Sequence, residues 1–162
     1  MVKVVKDPES VKLMQEAVDL SAKSVKAGGG PFGAVVVKDG KIVGRGNNRV
    51  TLDNDPTAHA EVSAIRDACK NLKTFDLTGC ELYTSCEPCP MCLASSMWGR
   101  LKTIYYANDR KDAAKIGFDD KYFYDQFDKK IEDRDIPLVK VETTTAIKVF
   151  QDWENKTDKT EY

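Results

Sequence analysis

No apolar run in the sequence approaches the roughly 18 residues that a membrane span needs, and no cationic-then-apolar leader opens the chain. The expectation is a soluble, cytoplasmic protein. A basic excess is missing too, since 25 Lys and Arg stand against 26 Asp and Glu. Residues 1–108 carry 14 basic and 12 acidic groups, whereas residues 109–162 carry 11 and 14, so the C-terminal third is mildly acidic and polyanion binding is not expected. There is no internal repeat, linker or low-complexity tract, and 162 residues suit one domain with its own core rather than several. The stretch from Gly28 to Gly33 lacks the spacing and the Lys of a phosphate loop, and reads as a turn with close backbone approach.

What the chain does have is an unusual pairing of residue types. Five cysteines (Cys69, Cys80, Cys86, Cys89 and Cys92) accompany a single histidine, His59. The number is odd and three of the five fall within seven residues. In a cytoplasmic protein such a cluster points to a metal or to catalysis rather than to a disulfide framework. Cys69 and Cys80 read simply as small buried hydrophobes.

Periodicity predicts a helix over 8–26, opened by Asp7-Pro8 and stopped by Gly28-Gly29-Gly30-Pro31. Strands at 33–38 and 41–45 flank Asp39-Gly40, a type I′ hairpin signal. Residues 47–55 read as a polar loop, and Asp55-Pro56 as the cap and first turn of a helix running through Val62, Ile65 and Cys69. A strand at 81–84, a helix starting at Pro88, strands at 102–106 and 136–141, and a closing helix at 145–153 complete the pattern. The expected fold is α/β, one sheet with helices on both faces.

Chemistry concentrates in His59-Ala60-Glu61 and Pro88-Cys89-Pro90-Met91-Cys92, each at the start of a predicted helix. Cys89 and Cys92, three residues apart, project on one face, where the helix N-terminus favours thiolate. With His59 from the other helix they give Zn²⁺ three ligands, leaving the fourth position for water, with Glu61 beside it as a general acid/base. Alternatively, Cys86 completes a closed Cys3His structural site. Taken alone, Asn48 is an ordinary loop residue, Phe32 and Trp98 are core aromatics, and Asp119-Asp120 is a solvated pair or a helix cap.

His-x-Glu followed by Pro-Cys-x-x-Cys is the signature of the zinc base and nucleoside deaminases, the cytidine/deoxycytidylate deaminase superfamily, and the chain resembles it strongly. The likeness lies in residues 55–61, in residues 84–92 and in Gly30-Pro31-Phe32-Gly33-Ala34. Asp112-Ala113-Ala114, Gly117-Phe118-Asp119-Asp120 and the terminal Glu161-Tyr162 resemble the small bacterial-type guanine deaminase branch rather than the tRNA adenosine deaminases.

That resemblance implies a three-layer α/β/α fold with a mixed five-stranded sheet, and a single zinc-dependent deaminase domain over residues 1–162. It implies one Zn²⁺ per subunit on His59, Cys89 and Cys92, with Glu61 shuttling protons during hydrolysis of guanine to xanthine and ammonia, assisted by Asp120. Asn48, Phe32, Ala60, Trp98 and Tyr162 are implied as substrate contacts. A homodimer is implied as well, with the segment 145–162 exchanged between subunits, a small purine as the partner, and neither membrane nor nucleic acid. The competing readings are a guanosine deaminase, a tRNA-specific adenosine deaminase, and a non-catalytic zinc-stabilised binding module.

Overall fold

Asp39-Gly40 turns the chain between β1 (Gly33–Lys38) and β2 (Lys41–Asn47) in the computed structural model, which describes residues 2–162. Both turn residues have positive φ, 50° and 73°, as a type I′ turn requires, so the hairpin forms as the sequence predicts. On its other side β1 pairs antiparallel with β3 (Glu81–Cys86), which runs parallel to β4 (Thr103–Asn108). The strand order is β2-β1-β3-β4, a mixed sheet of four strands rather than five.

The strand expected at 136–141 is absent, and this is a correction to the sequence reading. Those residues belong to no helix or strand, and all are exposed. A β-branched run becomes a strand only where a neighbour takes up its backbone groups, and Pro137 has no N–H to give.

Side chains of β1 alternate between two cores. Ala34 and Val36 join Ala60, Ala64, Ala68 and Leu82 under α3 (Ala60–Leu72), while Val35 and Val37 join Leu13 and Tyr83 under α1 (Pro8–Lys26). The sheet is thus covered on both faces, as expected. Gly44 and Gly46 explain how closely α3 lies on β2: a Cβ at either position would meet the Ala64 or Ala60 carbonyl oxygen at 2.4 or 2.2 Å. This bare stretch of strand seats the first turn of α3, and with it His59 and Glu61, against the sheet.

Two helices begin later than the prolines indicate. The Asp55 carboxylate accepts from the Thr57 N–H at 2.8 Å and its hydroxyl at 2.7 Å, so Asp55 closes a local turn and Pro56 lies before α3 rather than in it. Pro90, not Pro88, opens α4 (Pro90–Trp98). The presumed loop at 47–55 holds one helical turn, α2 (Val50–Asp53), ended by Asn54 in the left-handed region. After β4 comes α5 (Arg110–Lys115), opened by a capping box between Asp109 and Asp112.

The chain divides into two compact units, one ending at Lys121 and the other spanning Tyr122–Tyr162. The second contains most of α6 (Lys121–Asp128), one 3-10 turn and α7 (Ala146–Asn155), the last close to the predicted closing helix. None of its residues is buried.

Candidate metal centre and active site

His59 and Cys89 occupy equivalent places. Each is the N-cap of its helix, in extended backbone conformation (φ −67°, ψ 157° and φ −66°, ψ 168°), and neither side chain caps the helix. A position that usually holds Ser, Thr, Asp or Asn to satisfy helix N–H groups therefore carries a side chain directed elsewhere. Cys92, in the first turn of α4, joins them: His59 Nδ1 lies 3.6 Å from Cys89 Sγ and 3.4 Å from Cys92 Sγ. All three donor atoms fall within 4.8 Å of one another.

This set fits zinc. Tetrahedral Zn²⁺ with bonds of about 2.3 Å to sulfur and about 2.0 Å to nitrogen separates the two donors by about 3.5 Å, a value bracketed by both observed separations. One of the two sulfurs is already favoured as a thiolate. The Cys92 thiol, then the His59 ring and the Cys92 N–H, hydrogen-bond the Cys89 sulfur and pull its pKa down to about 4 despite its burial. Cys92 is pushed up, first by the hydrogen bond it gives Cys89 and then by burial. His59 is raised, chiefly by its hydrogen bond with Cys89.

Cys86 stays outside the group. Its Sγ faces the Asp109 carbonyl at 3.9 Å, and burial pushes its thiol up to about 12, so it remains protonated. Among the described residues the potential ligand group is His59, Cys89 and Cys92 alone. The closed Cys3His alternative therefore fails, and a three-ligand set leaves one position open.

Glu61, in the first turn of α3, is 6% exposed. Its Oε1 accepts from the Thr84 hydroxyl at 3.2 Å, and its Oε2 lies 3.4 Å from Cys92 Sγ. Burial raises its pKa above the ordinary carboxylate range. A carboxyl held at the edge of a potential metal site, with burial favouring its protonated form, has the properties of a proton shuttle.

His59, Glu61, Cys86 and Cys89 line a cavity of about 220 Å³. Its remaining lining includes Gly30, Phe32 and Asn48 from one side, Val50 and Thr51 from α2, and Glu87, Ala113, Phe118 and Asp120 from the other. The lining has three carboxylates, Glu61, Glu87 and Asp120, and neither Lys nor Arg. Burial, and then the charge of Cys89, raise the pKa of Asp120. Glu87 is tied back by Arg110, whose Nη2 and Nε donate to Oε1 at 2.6 and 3.0 Å. Asn48 is held by Oδ1, which accepts from the N–H groups of Gly30 at 3.4 Å and Val50 at 3.2 Å. Its amide Nδ2 is then the atom it can offer a ligand.

Of the residues predicted from sequence, the structure brings His59, Glu61, Cys89, Asn48, Phe32 and Asp120 to this cavity, with Cys92 buried behind it against His59. Ala60 is fully buried in the core beneath α3 and is not part of the lining. Trp98, at the far end of α4, is 67% exposed and also lies outside the lining. Tyr162 belongs to the second unit and is exposed. Sequence reasoning missed Phe118, which packs edge-to-face on Phe32 with ring centroids 4.9 Å apart. Its place two residues before Asp120 was the available signal.

Residues 8–108 match the family described as the cytidine and deoxycytidylate deaminase zinc-binding region. The chain is 53% identical to guanine deaminase of Bacillus subtilis over 150 residues, covering 92% of this chain and 96% of that one. An X-ray structure of Bacillus subtilis guanine deaminase superposes with a TM-score of 0.91 at 51% identity, covering 97% of this chain and 99% of the other. A tRNA-specific adenosine deaminase of Aquifex aeolicus is 41% identical over 104 residues, 64% of this chain and 69% of its own length. The histidine and two cysteines at paired helix starts, the glutamate beside them and a family match spanning most of the first unit agree: the chain belongs to the cytidine and deoxycytidylate deaminase family.

Proposed function

We propose that the chain is a guanine deaminase, converting guanine and water to xanthine and ammonia. The observation that carries the reading is a small cavity lined by His59, Cys89 and Glu61, backed by Cys92, with neither Lys nor Arg in its lining. At about 220 Å³ it lies below the roughly 300–1,000 Å³ of typical small-molecule sites, which suits one neutral purine base better than a nucleotide or an RNA loop. The likeness to Bacillus subtilis guanine deaminase over nearly the whole chain supports the same substrate, whereas likeness to the tRNA deaminase is confined to about two thirds.

His59, Cys89 and Cys92 would hold one zinc ion per subunit. Zinc bound there supplies Lewis acidity that makes hydroxide available from water near neutral pH. Glu61 accepts the proton that water loses and passes it to a ring nitrogen of guanine as oxygen bonds to C2. It then carries the proton of the new C2 hydroxyl to the amino group on C2, with Asp120 assisting, and the C–N bond breaks to release ammonia as the C2 oxygen becomes a carbonyl. Asn48 Nδ2 donates to the purine edge. Phe32, held by Phe118, forms one wall of the ring slot, and Ala60 supports its floor from the start of α3.

The functional unit we propose is a homodimer of single deaminase domains in which residues 145–162 are exchanged, so that Tyr162 reaches the cavity of the second copy. Trp98 is proposed as a further contact to the purine. The second unit supports the exchange, since Ile147, Val149, Phe150 and Trp153 are all exposed within one chain. A cytoplasmic location fits five cysteines without a disulfide, and no helix of the described residues is long and apolar enough to cross a membrane.

Ammonia release by zinc-loaded protein offered guanine, guanosine, adenine, cytosine and an adenosine-containing tRNA anticodon stem tests the reading. Turnover of guanine is expected, and Glu61→Gln should abolish it while zinc is retained. Activity confined to another substrate of the panel sinks the guanine assignment. Sedimentation should find a dimer, and a monomer with full activity rules out the exchange.

A further inference from the structure

Leu82, Thr84 and Cys86 alternate along β3 toward the face that α3 covers. Leu82 belongs to the core there, and Cys86 already lines the cavity. Between them Thr84 is 1% exposed, paired with Ala34 of β1 and Tyr106 of β4. A central strand buried on both faces asks only for a β-branched residue at such a place, and Val has the same shape. The hydroxyl is the part that packing does not require. Buried, it needs a hydrogen-bond partner, and that partner is Glu61 Oε1 at 3.2 Å.

The two groups touching the Glu61 carboxyl are not equivalent. Cys92 faces Oε2 at 3.4 Å, but its sulfur belongs to the potential metal-ligand group and would have no proton to donate once it ligates zinc. The Thr84 hydroxyl keeps its proton whatever the state of the metal site, and β-branching limits the rotamers it can adopt. Thr84 is not part of the cavity lining, so it can act on substrate only through Glu61.

We propose that Thr84 is a positioning residue for the proton shuttle: its hydroxyl pins Oε1 of Glu61 to β3 and so keeps Oε2 facing the His59-Cys89-Cys92 group. The inference rests on the reading of Glu61 as the shuttle in a deaminase. A carboxyl that must take a proton on one side of the substrate and release it on another gains from having one oxygen fixed, because misplacement of a proton donor costs rate rather than affinity. The hydrogen bond therefore belongs to kcat and not to KM.

The test compares wild type, Thr84→Val, Thr84→Ser and Glu61→Gln for guanine turnover, zinc per chain and xanthine binding by calorimetry. Thr84→Val should lower kcat about 10- to 100-fold, as loss of a supporting hydrogen bond at a metal site does, with KM, zinc content and xanthine affinity within about twofold of wild type. Thr84→Ser, which keeps the hydroxyl and drops the methyl, should recover kcat to within about threefold. Wild-type kcat in Thr84→Val overturns the proposal, as does zinc loss in that variant or equal damage from Thr84→Ser. If wild type deaminates another member of the panel instead of guanine, the guanine reading falls and the same comparison on that substrate decides the role of Thr84. Turnover of no substrate by wild type overturns both.

Discussion

The unit ending at Lys121 and the unit spanning Tyr122–Tyr162 use the same kinds of side chain in opposite ways. In the first, Val35, Val36, Leu77 and Leu82 are buried between sheet and helices, and the polar groups set into that core are satisfied: Ser24 donates to the Asn48 carbonyl at 2.9 Å, and Ser85 accepts from the Gly33 N–H at 3.1 Å. In the second, Phe127, Ile136, Leu138, Val139, Val141 and Phe150 are all at least 63% exposed, and no residue is buried. A segment that leaves so much apolar surface in water gains little stability from its own packing. The comparison separates what one chain completes by itself, the metal centre and the cavity beside it, from an apolar surface that the proposed second copy would cover.

Substituting the metal ligands probes that separation most strongly. His59→Ala or Cys92→Ser should remove stoichiometric zinc and all measurable deamination while leaving the proposed dimer in place, because both side chains lie in the first unit and the loss of either costs the donor set one of three members. Zinc analysis and sedimentation on the same preparation check this. Retained zinc with full turnover breaks the ligand assignment, and dissociation of the dimer breaks the independence of the two regions.

Removing Glu161 and Tyr162 makes the reciprocal cut. Zinc content should stay at one per chain, while kcat/KM for guanine falls about 10-fold, the effect of losing one aromatic or hydrogen-bonding contact to substrate. Steady-state kinetics on the shortened chain measure it, and undiminished kcat/KM sinks the proposed cap over the cavity.

How far the sequence was legible follows the same division. His59, Cys89 and Cys92 were readable because two short motifs carry them and because a ligand at a helix start needs few residues to define it. The helix starts themselves were misplaced: Pro56, Pro88 and Pro90 give one local signal, and for α3 the Asp55 turn and the seating on Gly44 and Gly46 go with its later start. The strand expected at 136–141 has the right composition, but ladder partners are a tertiary property that composition does not report. Phe118 and Thr84 were noted only as parts of family-like stretches and given no role, for a related reason. Each contacts a residue far away in sequence, Phe32 and Glu61, and neither pairing leaves a periodic trace.

Phe118→Ala sharpens the account of the first unit at a smaller scale. The edge-to-face contact with Phe32 belongs to a class that contributes about 0.5–1.5 kcal/mol, so the loss should raise KM for guanine roughly 2- to 10-fold and leave zinc unchanged. An unaltered KM means that Phe32 holds its place without Phe118.

The smallest expected effect concerns how the wall carrying Ala113 is held. α5 is short, and its start depends on Asp109, whose carboxylate accepts from the Lys111 and Asp112 N–H groups at 2.8 and 2.9 Å, while Asp112 reaches back to the Asp109 N–H at 3.3 Å. Ala cannot accept those hydrogen bonds and Asn can, so Asp109→Ala should cost about 1 kcal/mol of stability and Asp109→Asn only a few tenths at most. Thermal unfolding of zinc-loaded wild type and both variants separates cap from charge. If the two variants are equally destabilised, the charge of Asp109 rather than its capping geometry supports the wall. Should only the alanine variant lose stability, the cavity wall depends on a local helix cap, and that dependence lies wholly within the first unit.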